Sequence, residues 1–118
     1  MSLNILIVDD SKVSRMMTKK TILGVREDCT FIEGENGQEA TELFTKGNVD
    51  LVIMDVNMPV MDGFAATSLI RETEPNVPIM ILSANIQSSS REKAESLGAS
   101  FYKKPITNDS VIQMLEGL

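Results

Sequence analysis

Short apolar runs of strand length alternate with segments of helical spacing from one end of the chain to the other, and this alternation limits the fold more than any other feature. Asn4–Val8 reads as a first strand. Ser11–Leu23 then sets Val13, Met16, Met17 and Leu23 near helical spacing ahead of Gly24, a helix-stop residue. Thr30–Glu33 is a short second strand, Asn36-Gly37 a helix start, and Ala40, Leu43 and Phe44 one face of a helix that ends at Gly47. Leu51–Met54, a third strand, lacks polar alternation, as a strand covered on both faces does, and ends abruptly at Asp55. Beyond the loop Val56–Asp62, a helix runs from about Gly63 to Glu72, and Pro75 and Pro78 bracket the turn into strand Ile79–Leu82. Ser89–Leu97 reads as a fourth helix closed by Gly98, and Ser100–Lys103 as a brief strand before Pro105. Thr107–Leu118 carries Val111, Met114, Leu115 and Leu118 on one face.

About five βα units imply an α/β fold, a parallel sheet with helices on both faces, because right-handed crossovers leave few other packings. With 118 residues there is room for one domain, spanning 1–118, and not for an eight-unit barrel. A chain 42% hydrophobic and 24% charged is expected to bury a real core rather than form a disordered segment or a coiled coil. The methionines, Met16, Met17, Met54 and Met80 among them, read as core filler rather than a metal or cofactor box.

The formal net charge is −6 and no block of Lys or Arg offers a phosphate footprint, which argues against direct binding of nucleic acid or an anionic membrane. The chain has no histidine, so His-ligated zinc, Ser-His-Asp chemistry and a phosphohistidine of its own are excluded. Cys29 is the single cysteine and there is neither a leader pattern nor a long apolar run, so a cytoplasmic location is expected. Whether Met1-Ser2-Leu3 is native or a cloning scar stays open.

Open sheets of this class bind ligands beyond the strand C-termini, which directs attention to Asp9 and Asp10, Asp55, Ser83 and Lys104. Taken singly, an Asp or Ser there is an ordinary helix N-cap and a Lys beside a Pro an ordinary solvated charge. Together, the ends of strands one and three bring three carboxylates into one crevice, an arrangement that favours protonation unless a cation sits among them. Mg²⁺ is the natural candidate, since one or two carboxylates, waters and a phosphate oxygen make its usual protein site. With a lysine and a hydroxyl added, the set suits phosphoryl transfer, with Asp55 as nucleophile on its rigid apolar strand and Asp9 and Asp10 holding the metal.

These residues resemble the receiver domains of two-component response regulators, and the resemblance covers essentially the whole chain. It rests on Ile5-Leu6-Ile7-Val8-Asp9-Asp10, on Asp55-Val56-Asn57-Met58-Pro59-Val60-Met61-Asp62-Gly63, on Ser83-Ala84 and on Lys104-Pro105, in order and at family spacing. It implies a flavodoxin-like sheet in strand order 2-1-3-4-5, the order that a chemotaxis member of the family exemplifies. It also implies roles: Asp55 as phosphoacceptor, Asp10 coordinating Mg²⁺ directly, Asp9 acting through a metal-bound water, and the main-chain carbonyl of Asn57 completing the protein ligands. Lys104 would pair with the acceptor and its phosphoryl group, and Ser83 would bond a phosphoryl oxygen. Lys103 is left as a surface charge, because only Lys104 directly precedes Pro105, a bond typically cis in the family.

The same resemblance makes Phe101 the switch aromatic, with plain core packing as its alternative reading. Phosphorylation would draw Ser83 and Lys104 inward, vacate space that Phe101 enters, and couple the site to the face of the fourth helix, fifth strand and fifth helix. The polar stretch Asn85–Arg91 lies on the moving segment, and the side chains of Asn57 and Asn85 would gate the attacking water. The expected partners are a histidine kinase or phosphotransfer protein and a downstream effector or fused output domain, with the domain itself a monomer or weak dimer. A free-standing protein and a piece of a larger regulator or hybrid kinase are both left open.

Three other readings compete. A haloacid-dehalogenase-type phosphatase needs a second Asp two residues after the nucleophile, where this chain has Asn57. A flavin module would have its phosphate repelled by Asp9-Asp10. A constitutive receiver-like scaffold usually lacks an acid or the lysine, all of which are present here.

Overall fold

The computed structural model describes residues 2–85, 87–116 and 118. Its elements follow the expected alternation: β1 (Leu3–Val8), α1 (Lys12–Val25), β2 (Cys29–Gly34), α2 (Gly37–Lys46), β3 (Leu51–Asp55), α3 (Gly63–Thr73), β4 (Ile79–Ser83), α4 (Ser88–Ser96), β5 (Ser100–Lys103) and α5 (Asn108–Glu116). The five strands are parallel in the order β2-β1-β3-β4-β5, the flavodoxin-like arrangement.

Each central strand divides its side chains between two cores because successive residues point to opposite faces. Leu6, Val8, Val52, Met54, Ile79 and Ile81 pack with α2, α3 and α4, through Ala40, Phe64, Ile70 and Ala94. Leu3, Ile5, Ile7, Leu51, Ile53 and Leu82 pack under α1 and α5, through Ile22, Val111 and Met114. Every residue of β3 and β4 is buried, which is why these strands read as unbroken apolar runs.

Three helix starts are capped by side chains. Ser11 Oγ accepts from Ser14 N–H, Asn36 Oδ1 from Glu39 N–H and Asp62 Oδ1 from Ala65 N–H. Two glycines are demanded by close approach. A Cβ on Gly63 would lie 2.1 Å from the carbonyl oxygen of Asp55, and one on Gly37 2.5 Å from that of Met61. Gly37 N–H donates to that same Met61 oxygen, tying the start of α2 to the loop after β3.

Several expectations need correction. The inner side of α1 is Arg15, Thr18 and Ile22, whereas Val13, Met16, Met17 and Leu23 are exposed at 66%, 55%, 56% and 41%, so Met16 and Met17 are not core filler. Met54 and Met80 are buried as expected. Helix α1 also runs through Gly24 to Val25, because a single glycine weakens a helix without ending it. Leu118 is 47% exposed rather than on the buried face of α5. Ile86, within the polar stretch Asn85–Arg91, Gly117, within the expected last helix, and Met1 lie outside the described residues.

Candidate functional site

Strands β1 and β3 are neighbours, and the helices that follow them, α1 and α3, leave to opposite faces, which opens a crevice at their C-terminal ends. Asp9 follows the last pair of the β1 ladder and Asp55 is the last residue of β3. Carboxylate oxygens of Asp9, Asp10 and Asp55 lie within 4.8 Å of one another. Asp9 and Asp55 are buried and Asp10 is exposed.

Lys104 reaches this cluster from the end of β5, 95 residues from Asp9 in sequence. Its Nζ lies 2.6 Å from Asp9 Oδ2 and 3.3 Å from Asp55 Oδ1. The Lys104–Pro105 bond is cis, and Lys104 N–H donates to the carbonyl of Ser83, which ties the loop after β5 to the end of β4. Lys103 is exposed.

The two buried carboxyls feel this environment differently. Burial pushes Asp9 up, but the Lys104 hydrogen bond and the Ser11 N–H more than offset it and leave Asp9 below the ordinary carboxylate range. Asp55 is raised, first by burial and further by the charges of Asp9 and Asp10, against the pull of Lys104. Burial would lower the Lys104 ammonium, yet its bond to Asp9 and the charge of Asp55 leave it raised. Three oxygen-donor groups in reach of one point, one of them pushed toward protonation chiefly by burial, suit a hard divalent cation.

Ser83 is buried, its hydroxyl held in a local turn in which Oγ donates to the carbonyl of Asn85 and accepts from Asn85 N–H. Asn57 is exposed on the loop that leaves β3. In that loop Val60 adopts φ 68°, a left-handed conformation that a β-branched residue rarely takes.

Phe101 is on β5. It is already inside, 7% exposed among the residues packed under α4, with the Arg91 guanidinium 5.3 Å from its ring centroid. Phe carries no hydroxyl that must stay hydrated, so burial meets no polar penalty, and the cation closes over its outer face.

Sequence reasoning missed Arg15. Its Nη1 donates to the Asp9 carbonyl at 2.7 Å and its Nε to Glu33 Oε1 at 2.9 Å. The only signal was an arginine on α1 four residues after the N-cap Ser11, where its side chain points back toward the end of β1. Beside the site, a hollow of about 220 Å³ lies between α1 and the Pro105 loop, with Met17, Thr18, Lys104, Pro105 and Ile106 among its walls.

Residues 5–116 match the family described as Response regulator receiver domain. The chain is 40% identical over 110 residues to the sensor protein EvgS of Escherichia coli K12, an alignment covering 91% of this chain and 9% of that protein. It is 34% identical over 116 residues to the chemotaxis protein CheY of Halobacterium salinarum, covering 98% of this chain and 95% of that one. Among solved structures, the CheX-CheY-BeF3-Mg²⁺ complex from Borrelia burgdorferi aligns with a TM-score of 0.85 at 30% identity, over 98% of this chain and 87% of that chain. The chain spans 13% or less of the length of the sensor proteins it matches. Among the described residues, no helix is long and apolar enough to cross a membrane.

Proposed function

The chain belongs to the response regulator receiver domain family of two-component signalling, and from that premise we propose that it is a phosphorylation-dependent switch whose phosphoacceptor is Asp55. The phosphoryl donor is the phosphohistidine of a histidine kinase or phosphotransfer protein, and the reaction requires Mg²⁺. The observation that carries this reading is the convergence of Asp9, Asp10 and Asp55 within 4.8 Å, with the Lys104 ammonium 3.3 Å from Asp55.

Asp10, Asp55 and the main-chain carbonyl of Asn57 are the groups that would hold Mg²⁺, with Asp9 acting through a water. When bound, the ion supplies positive charge to the phosphoryl oxygens. A carboxylate oxygen of Asp55 forms a bond to phosphorus as the donor's P–N bond breaks, and the electron pair leaves on the imidazole nitrogen. Lys104 neutralises charge on the transferred group, and Ser83 leaves its turn with Asn85 to donate its hydroxyl to a phosphoryl oxygen. In this scheme the domain promotes only its own phosphorylation and dephosphorylation, and the side chains of Asn57 and Asn85 gate the hydrolytic water.

The signal leaves through the face of α4, β5 and α5. Phe101 is already inward, so release of the Ser83 turn acts on the loop before α4 without requiring the aromatic to enter first. The effector is a separate protein or a fused output domain. Val13, Met16 and Met17 are exposed apolar side chains on α1, Met17 also lines the Lys104 hollow, and together they offer the phosphodonor protein a docking surface.

Intact mass after incubation with acetyl phosphate tests the reading, with a Mg²⁺-free sample and Asp55→Asn as controls. The expected result is a single phosphoryl adduct confined to wild type with Mg²⁺. An adduct of equal yield on Asp55→Asn, with no label moved to another residue in wild type, would sink the assignment. Absence of both an adduct and of beryllofluoride binding would favour the constitutive scaffold.

A further inference from the structure

We infer that Arg15 is a positioning residue that sets how tightly the acid pair Asp9-Asp10 holds a divalent cation, through its hydrogen bond to the main-chain carbonyl of Asp9. The inference rests on the proposed Mg²⁺-dependent function. Arg15 sits on the inner side of α1 and is only 7% exposed, at a place where an apolar residue would serve packing alone. A buried guanidinium is tolerated only when paired and hydrogen-bonded, and here both ends of the fork are engaged. Nε meets Glu33 Oε1 at 2.9 Å on β2, Nη2 lies 3.9 Å from Glu35 Oε1, and Nη1 donates to the Asp9 carbonyl at 2.7 Å. Glu33 is itself held by Lys19 at 2.9 Å.

The Asp9 carbonyl lies just beyond the β1 ladder, whose last pairs are at Val8. Because the peptide group is planar, fixing that oxygen fixes the plane from which the Asp10 backbone departs. Asp9 is further held by its N–H on the Gly34 carbonyl and by Ser11 N–H on its Oδ1. Asp10 is exposed, and among the described residues no hydrogen bond holds its carboxylate, so its direction depends on this peptide plane.

The positive charge of Arg15 and its grip on the carbonyl act on a nearby cation with opposite sign, which makes the two separable. Charge alone weakens cation binding; the grip strengthens it by preorganising the acids. Arg15→Lys keeps the charge but presents a single ammonium that cannot bridge the carbonyl and Glu33 together.

The test measures Mg²⁺ affinity by NMR chemical-shift titration for wild type, Arg15→Lys and Arg15→Gln, with thermal melts confirming that each variant is folded. The Mg²⁺ dependence of labelling by acetyl phosphate is recorded alongside. Arg15→Lys is expected to weaken Mg²⁺ binding about tenfold, the lower end for groups that orient metal ligands. Its half-saturating Mg²⁺ for labelling rises equally, and the plateau rate at saturating Mg²⁺ is kept. Arg15→Gln, which removes charge and grip together, is expected to weaken Mg²⁺ binding by about threefold where loss of charge alone would tighten it, and it decides the matter if Arg15→Lys fails to fold. Unchanged Mg²⁺ affinity in a folded Arg15→Lys, or a lowered plateau with unchanged half-saturation, overturns the inference and leaves the proposed function standing. No Mg²⁺-dependent shift in wild type would remove both.

Discussion

The Lys104 ammonium lies 2.6 Å from Asp9 and 3.3 Å from Asp55, so one cation bridges two buried carboxylates and is closer to the one that is not the proposed phosphoacceptor. It therefore competes with any divalent cation for Asp9. Lys104→Met should tighten Mg²⁺ binding by about fivefold, the effect of removing one partly screened charge, while uncoupling phosphorylation from partner binding. Calorimetric titration checks the first part, and weaker Mg²⁺ binding in the variant would show that Lys104 organises the acids rather than competing for them.

Asp55 carries a pH-dependent cost. Burial, then the charges of Asp9 and Asp10, raise its carboxyl in the folded state. The folded protein thus binds this proton more readily than the unfolded chain, and stability from this group is fully present below the unfolded carboxyl value and falls as pH rises through the folded one. At pH 7, Asp55→Asn should melt about 3–5 °C above wild type without Mg²⁺, and the gap should close below pH 4. Melting curves across pH check this, and a gap independent of pH would mean that the ionised carboxylate is not the source.

Met17 is 56% exposed and also lines the hollow beside Lys104. If a protein phosphodonor docks on this face, Met17→Glu should slow transfer from that donor about tenfold or more, the scale of losing an apolar anchor. Labelling by acetyl phosphate, which needs no docking surface, should be unchanged. Equal slowing with both donors would place the effect inside the site and exclude a docking role.

Arg71 joins three segments far from the crevice: its guanidinium donates to the carbonyls of Val77 at 2.6 Å, Leu97 at 2.8 Å and Gly98 at 2.9 Å. Helix α4 has one buried residue, Ala94, and no side-chain cap, so this clamp matters to its attachment. Arg71→Met should cost about 2–4 kcal/mol, because several part-buried carbonyls lose a charged donor. Hydrogen exchange at Gly98 and Ala99 should accelerate more than in β1. Uniform acceleration across the sheet would indicate global destabilisation rather than release of this turn.

The elements were legible because their signals are local. The apolar runs Ile5-Leu6-Ile7-Val8 and Leu51–Met54 have strand length, the second fits a strand covered on both faces, and Asn36-Gly37 marks a helix start as it stands in the sequence. The inward side of α1 was not legible in the same way. Methionines at helical spacing fit a buried stripe as well as an exposed one, and what turned Arg15 inward was Glu33, eighteen residues on, together with a backbone oxygen at the end of β1.

The strand ends could be named from the sequence, and the family resemblance supplied the strand order, but separations could not be read from either. Residue types and local periodicity determined that this chain forms five βα units with acids, a hydroxyl and a lysine at the strand ends. Only the tertiary structure decided that Asp9, Asp10 and Asp55 converge within 4.8 Å, that Lys104 sits nearer to Asp9, and that Phe101 is already buried. Those outcomes depend on contacts between residues far apart in the chain, where desolvation and charge act across the crevice rather than along the backbone.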